Sequence, residues 1–321
     1  MTTTTARVHL NTGIRLLSRR TTLGASLVAM VLLAAFAPRA AQAKVRVVTT
    51  IETFADLARQ VGGERVEAKA LGRGTMDPHF VESKPNLVLE LNRADLLVHV
   101  GLELEIGWLP PLVLGSRNPK IQPGQPGNLD ASAQIPVQDV PATKIDRSLG
   151  DIHPQGNPHY WIPPGNALVV AREIAERLIA IDPPGAAAYK ANLERFTAEL
   201  GRRRGEWEKR AAPVRGMKVV TYHRSWGYVS AWLGLQEVGT VEPKPGIPAP
   251  PSHIAQLIGL MRKDGVKVIL MESFYPRNTV ELIAQKAGAR ALVLPSDVGA
   301  APGIGDYFQL VDAVVQKLLP P

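Results

Sequence analysis

Two short apolar strand patterns, Val45-Arg46-Val47-Val48-Thr49-Thr50 and Ala94-Asp95-Leu96-Leu97-Val98-His99-Val100, lie about 50 positions apart with helical patterns between them. The second half of the chain repeats nearly the same interval, from Met217-Lys218-Val219-Val220-Thr221-Tyr222 to Val266-Lys267-Val268-Ile269-Leu270-Met271. Continuous apolar, β-branched runs of this kind are buried on both faces, as in parallel sheets, and parallel strands need helical crossovers. The repeated strand-helix grammar therefore restricts the chain to an α/β fold built as two parallel-sheet β/α lobes.

The helical patterns fit that frame. Phe54 to Val61 has helical spacing and stops at Gly62-Gly63. Asn86 to Arg93 places Leu87, Val88 and Leu91 on one face. In the second half, Trp226 to Leu233 ends at Gly234, and Ser252 to Lys263 has Ser252 as a natural N-cap. Between the halves, Tyr189, Leu193, Phe196 and Leu200 recur at helical intervals in a stretch bracketed by Pro183-Pro184 and Pro213. At about 26 residues it spans roughly 39 Å. Its charges from Arg202 to Arg210 read as a solvated face rather than a nucleic-acid surface. Residues 117–156, rich in Pro, Gly, Asn and Gln, read as loop. The expected organisation is residues 1–43 apart from the fold, an N-terminal lobe over 44–183, a linking helix over 184–212 and a C-terminal lobe over 213–321, with a ligand cleft between the lobes.

Residues 1–43 carry Arg7, Arg15, Arg19, Arg20 and Arg39 and no acidic residue, then an apolar run from Leu23 to Ala37, then Ala41-Gln42-Ala43. That is the order of a secretory signal, with cleavage after Ala43 and a run too short for a comfortable membrane span. Ser18-Arg19-Arg20-Thr21-Thr22-Leu23 partly matches a twin-arginine signal, with Thr22 at the usual Phe. The net charge of +8 is largely this segment, so it does not argue for a nucleic-acid partner. There is no cysteine, which removes disulfides, thiolate ligands and a lipid-modified cysteine. Any metal must therefore be held by nitrogen and oxygen.

Histidines occupy the positions where such donors matter. His79 follows Pro78 on a strand-to-helix loop, His159 follows Pro158, and His223 closes the run Val219–Tyr222. Asp297 follows the strand pattern Ala291–Leu294. In open α/β sheets, ligands bind beyond the carboxyl ends of strands, which puts His79, His223 and Asp297 at the cleft mouth. Of the other histidines, His99 reads as a core residue, His253 as a solvated helix start, and His153, six residues before His159, as a loop residue, with help in recruiting metal as the alternative.

The motifs, in order, resemble those of the zinc- and manganese-binding solute-binding proteins of ABC importers. They are Asp77-Pro78-His79-Phe80-Val81-Glu82, Gly101-Leu102-Glu103-Leu104-Glu105, Asn157-Pro158-His159-Tyr160-Trp161, Tyr222-His223-Arg224-Ser225-Trp226-Gly227-Tyr228, Glu272-Ser273, Ser296-Asp297 and Gly305-Asp306-Tyr307. The resemblance covers the whole chain beyond the signal. It implies two lobes joined by a long helix, His79, His159, His223 and Asp297 as metal ligands, a periplasmic location and a membrane permease as partner. Departures are Arg224, where many members carry Asp, and Ile162-Pro163-Pro164 in place of a Leu-Asp-Pro.

Three imidazoles and one carboxylate suit tetrahedral Zn²⁺, whereas Mn²⁺ prefers more oxygen, so zinc is expected first and manganese second. Binding is expected to weaken below about pH 6.5, where imidazoles protonate. Glu272 is a candidate second-sphere acceptor for an imidazole N–H. The rival readings are a zinc hydrolase, for which the His-Glu-x-x-His and Gly-x-Ser-x-Gly patterns are absent, and an adhesin using its surface. A monomeric binding protein, not an enzyme, is the expectation.

Overall fold

The computed structural model describes residues 1–6, 43–142 and 153–320. The expected export signal lies almost wholly outside them. Lys44–Pro321 forms one compact unit containing two four-stranded sheets.

The first sheet comprises β1 (Val45–Thr49), β2 (Val66–Ala70), β3 (Leu96–His99) and β4 (Asn128–Asp130), in the order β2-β1-β3-β4. The second comprises β5 (Lys218–Thr221), β6 (Gln236–Thr240), β7 (Val268–Met271) and β8 (Arg290–Val293), in the equivalent order β6-β5-β7-β8. Every pairing is parallel. The central strands are the runs that read as buried. Val47 and Val48 on β1, and Val219 and Val220 on β5, are each at most 3% exposed.

The crossovers are helical: α1 (Glu52–Gly62), α2 (Pro85–Arg93) and α3 (Leu109–Ser116) serve the first sheet. After the first sheet come α4 (Pro164–Ile181) and the long α5 (Ala186–Arg210). The second sheet is served by α6 (Gly227–Leu233), α7 (Pro251–Asp264), α8 (Arg277–Ala287) and α9 (Tyr307–Leu318). Gly63 has φ +56°, the conformation that lets α1 stop and the chain turn into β2.

Two local expectations change. The stretch read as loop over 117–156 contains β4, a three-residue edge strand paired to β3. Ser252 is not the N-cap of α7, because the helix begins one residue earlier at Pro251, where a fixed φ suits the first helical position, and Pro250 holds the capping position.

The linking helix runs 25 residues and buries Tyr189, Phe196, Leu200 and Trp207, spaced to keep one face inward. These side chains belong to a core that runs through both lobes, from Val47 and Leu57 through Tyr160 and Trp207 to Val219 and Val311. The outer faces of the two sheets have separate clusters, around Leu91 and Leu97 and around Met261 and Ile269. The charged face of α5 is largely paired within itself, through Arg202 with Glu199 and Glu206, and Arg204 with Glu208. Asp312 on α9 accepts from Arg203, Arg210 and Trp207 Nε1, each at 2.8 Å, which fastens the end of the long helix to the C-terminal lobe.

Candidate metal site

The three predicted histidines meet. One ring nitrogen from each of His79, His159 and His223 lies within 4.8 Å of the other two. Ring centroids are 5.1, 5.3 and 5.2 Å apart, an almost equilateral triangle. His79 comes from the loop between β2 and α2, His159 from the segment entering α4, and His223 from the turn after β5. His159 and His223 are 6% and 5% exposed, and the His79 side chain is 8% exposed.

Local sequence sets each ring. Asp77 Oδ1 accepts from the His79 backbone N–H at 3.0 Å and faces His79 Nδ1 at 2.6 Å. Asn157 Oδ1 does the same for His159, at 3.0 Å from N–H and 2.9 Å from Nδ1. The proline between each pair holds the backbone so that the Asx side chain reaches forward over two residues. His223 lacks such a neighbour, and Glu242 Oε2, just beyond β6, faces its Nδ1 at 3.1 Å. An acceptor at Nδ1 assigns the proton there and leaves Nε2 as a lone pair. Three clamped imidazoles thus turn three Nε2 lone pairs towards one another, an arrangement that can hold a divalent cation.

Electrostatics keep the rings available. Burial pushes His159 well below the ordinary imidazole range, helped by His79 and His223. Burial also pushes His223 down, against the upward pull of its Glu242 hydrogen bond. Burial pushes the Asp77 carboxyl up, but its hydrogen bonds and charge contact with His79 outweigh that, and the net shift is downward.

Asp297 does not join the group. Its Oδ1 accepts from Thr53 N at 2.7 Å, Thr53 Oγ1 at 2.5 Å and Val298 N at 2.9 Å, and its Oδ2 accepts from Glu52 N at 3.0 Å. The cause lies at the start of α1, where the capping position is Ile51 and no side chain of that segment caps the helix. Asp297 supplies the missing acceptor from the other lobe. Burial raises its carboxyl to about 6 despite these bonds.

Glu272 lines the same pocket as His79 and His159, is 1% exposed, and its Oε2 has no hydrogen-bond partner among the described residues. Burial raises it to about 8. The carboxylate on a C-terminal-lobe imidazole is therefore Glu242, not Glu272. Its signal in the sequence was its place after a strand, with nothing to link it to His223 19 positions earlier. Arg224 is exposed, and only its carbonyl takes part, accepting from Asn157 Nδ2 at 2.8 Å. That bond, Trp161 Nε1 to Ser296 O at 2.6 Å and Tyr228 OH to Asn157 O at 2.9 Å tie the His159 segment to the C-terminal lobe.

Residues 47–319 match the family described as zinc-uptake complex component A, periplasmic. The manganese ABC transporter substrate-binding lipoprotein PsaA of Streptococcus pneumoniae is 25% identical over 283 residues, 86% of this chain and 88% of its own length. The iron ABC transporter substrate-binding lipoprotein MtsA of Streptococcus pyogenes serotype M1 is 25% identical over 250 residues, 76% of this chain and 77% of its own. A crystal structure of ZnuA superposes with a TM-score of 0.71 at 26% identity, over 86% of this chain and 98% of that one. With a match that runs from the first strand to the last helix, the chain belongs to the zinc-uptake complex component A family, the extracytoplasmic metal-binding proteins that serve ABC importers and are not enzymes.

Proposed function

We propose that this chain captures zinc in the periplasm through His79, His159 and His223 and hands it to the membrane permease of an ABC importer. The observation that carries the reading is the clamping of all three Nδ1 atoms by Asp77, Asn157 and Glu242, which turns three lone pairs inward. Three nitrogen donors favour zinc, whereas Mn²⁺ prefers more oxygen ligands. The carboxylates of Asp77 and Glu242 stand behind two of the rings and offset the charge of a divalent ion without binding it. Asp297, the fourth ligand expected from the sequence, would have to leave its four hydrogen bonds on α1 and Val298 to coordinate. Manganese is the second reading, favoured by the name of the pneumococcal relative.

The working form starts at Lys44 after cleavage of the signal, acts as a monomer, and is free in the periplasm. The two relatives are named lipoproteins, but these 321 residues contain no cysteine to carry a lipid. Native mass spectrometry with metal analysis of the mature chain tests the reading. One zinc per chain, lost in His159→Ala, is expected. A metal-free chain after zinc exposure, or an ion retained by His159→Ala, contradicts it.

A further inference from the structure

A fourth imidazole stands against the trio. His153 Nε2 lies 3.3 Å from His79 Nε2, the rings stack with centroids 5.4 Å apart, and the His153 ring is 6.2 Å from that of His159. Because Asp77 fixes the proton of His79 on Nδ1, the atom that His153 faces is the lone pair aimed into the site. Four nitrogens at about 2.0–2.1 Å from one zinc ion sit about 3.3 Å apart along each tetrahedral edge. The His79–His153 separation already has that value, while His153 lies outside the group whose donor nitrogens are within 4.8 Å of one another, so its ring has to close on His159 and His223 when the ion binds.

Glu272 Oε2 lines the same pocket without a hydrogen-bond partner among the described residues, and is the oxygen donor that competes with His153; the remaining candidates are engaged. The Asp297 carboxylate caps α1, with both oxygens hydrogen-bonded. His99 bonds Asn128 Oδ1 at 3.1 Å, and His253, expected to be solvated, bonds the Thr240 carbonyl at 2.9 Å. We infer that His153 is the fourth donor to the captured ion, so that the cargo site is built from four imidazoles. The inference rests on the zinc-capture reading and deepens it. An all-nitrogen set of four discriminates against manganese more strongly than three nitrogens and an oxygen.

Zinc K-edge X-ray absorption on the mature chain with one equivalent of zinc counts the imidazoles through their outer-shell scattering. Four are expected in the wild type. His153→Gln is expected to show three with one oxygen, and to bind zinc at least about tenfold more weakly, the lower end of what the loss of even a partner behind a ligand costs. Three imidazoles and an oxygen in the wild type, or a His153→Gln chain with unchanged count and affinity, overturns the inference while zinc capture stands. No bound zinc in the wild type overturns both. The wild-type count decides the matter even where the variant folds poorly.

Discussion

Asp77→Ala isolates the clamp from the ligands, because it touches no lone pair that faces the metal. In the wild type, Asp77 Oδ1 receives both the backbone N–H and the Nδ1 of His79, at 3.0 and 2.6 Å. A hydrogen bond to an ionised acceptor contributes about 1.5–3 kcal/mol. At about 1.4 kcal/mol per tenfold, its loss corresponds to roughly 10- to 150-fold in zinc affinity. Independently, loss of the partner behind a metal-bound imidazole costs about 10- to 100-fold. The two routes agree. Asp77→Asn keeps the accepting oxygen, and the chain already contains that version, since Asn157 clamps His159 in the same geometry. Its loss is expected to stay under about tenfold. Competition against a chromogenic chelator at neutral pH reads both. An Asp77→Ala chain within twofold of wild type refutes the orientation argument. An Asp77→Asn chain as weak as Asp77→Ala shows that charge matters, not the clamp.

Three further outcomes follow from the same structure. A Cβ on Gly74 would meet the Val298 carbonyl oxygen at 2.0 Å and Ala300 N at 2.8 Å, so Gly74→Ala must force the two loops apart. A cost of about 1–3 kcal/mol lowers the melting temperature by roughly 3–10 °C in calorimetry, and an unchanged melt contradicts the contact. Burial holds Glu272 up to about 8, so the folded chain keeps a proton that the unfolded chain has lost, and stability falls as pH rises from about 4.5 to 8. Glu272→Gln removes that slope, at most about 5 kcal/mol across the window; urea titrations at pH 5 and 8 that show the same slope in both proteins count against it. Burial lowers His153, His159 and His223, with His153 down to about 3, so these rings stay neutral below the pH at which free imidazole protonates. Between pH 6.5 and 5, zinc affinity is therefore expected to fall with fewer than three protons per ion, and a slope near three refutes the burial argument.

The inner strands were legible because β1, β3, β5 and β7 are apolar on both faces and need no context to declare themselves. β4 was not, because Asn128-Leu129-Asp130 is a short, polar edge strand whose only signal is its pairing with Leu97–His99. His79 and His159 were legible through their repeated Pro-His setting, with their clamps in the same tripeptides at Asp77 and Asn157, and His223 through its place after a strand. Glu242 was hidden because its partnership with His223 exists only once β6 lies beside β5. Asp297 was legible as a carboxylate after a strand, but its direction depends on an uncapped helix start in the other lobe. That is information no stretch around Asp297 contains. The expected weakening of binding near pH 6.5 came from free imidazole and took no account of burial, which lowers His159 and His223.

Anomalous diffraction at the zinc edge from crystals of the mature chain grown with zinc tests the account most directly. It expects one peak about 2.0–2.1 Å from Nε2 of His79, His159 and His223, with each Nδ1 still on its oxygen. A peak elsewhere, or rings that bind through Nδ1 with Asp77, Asn157 and Glu242 released, contradicts it.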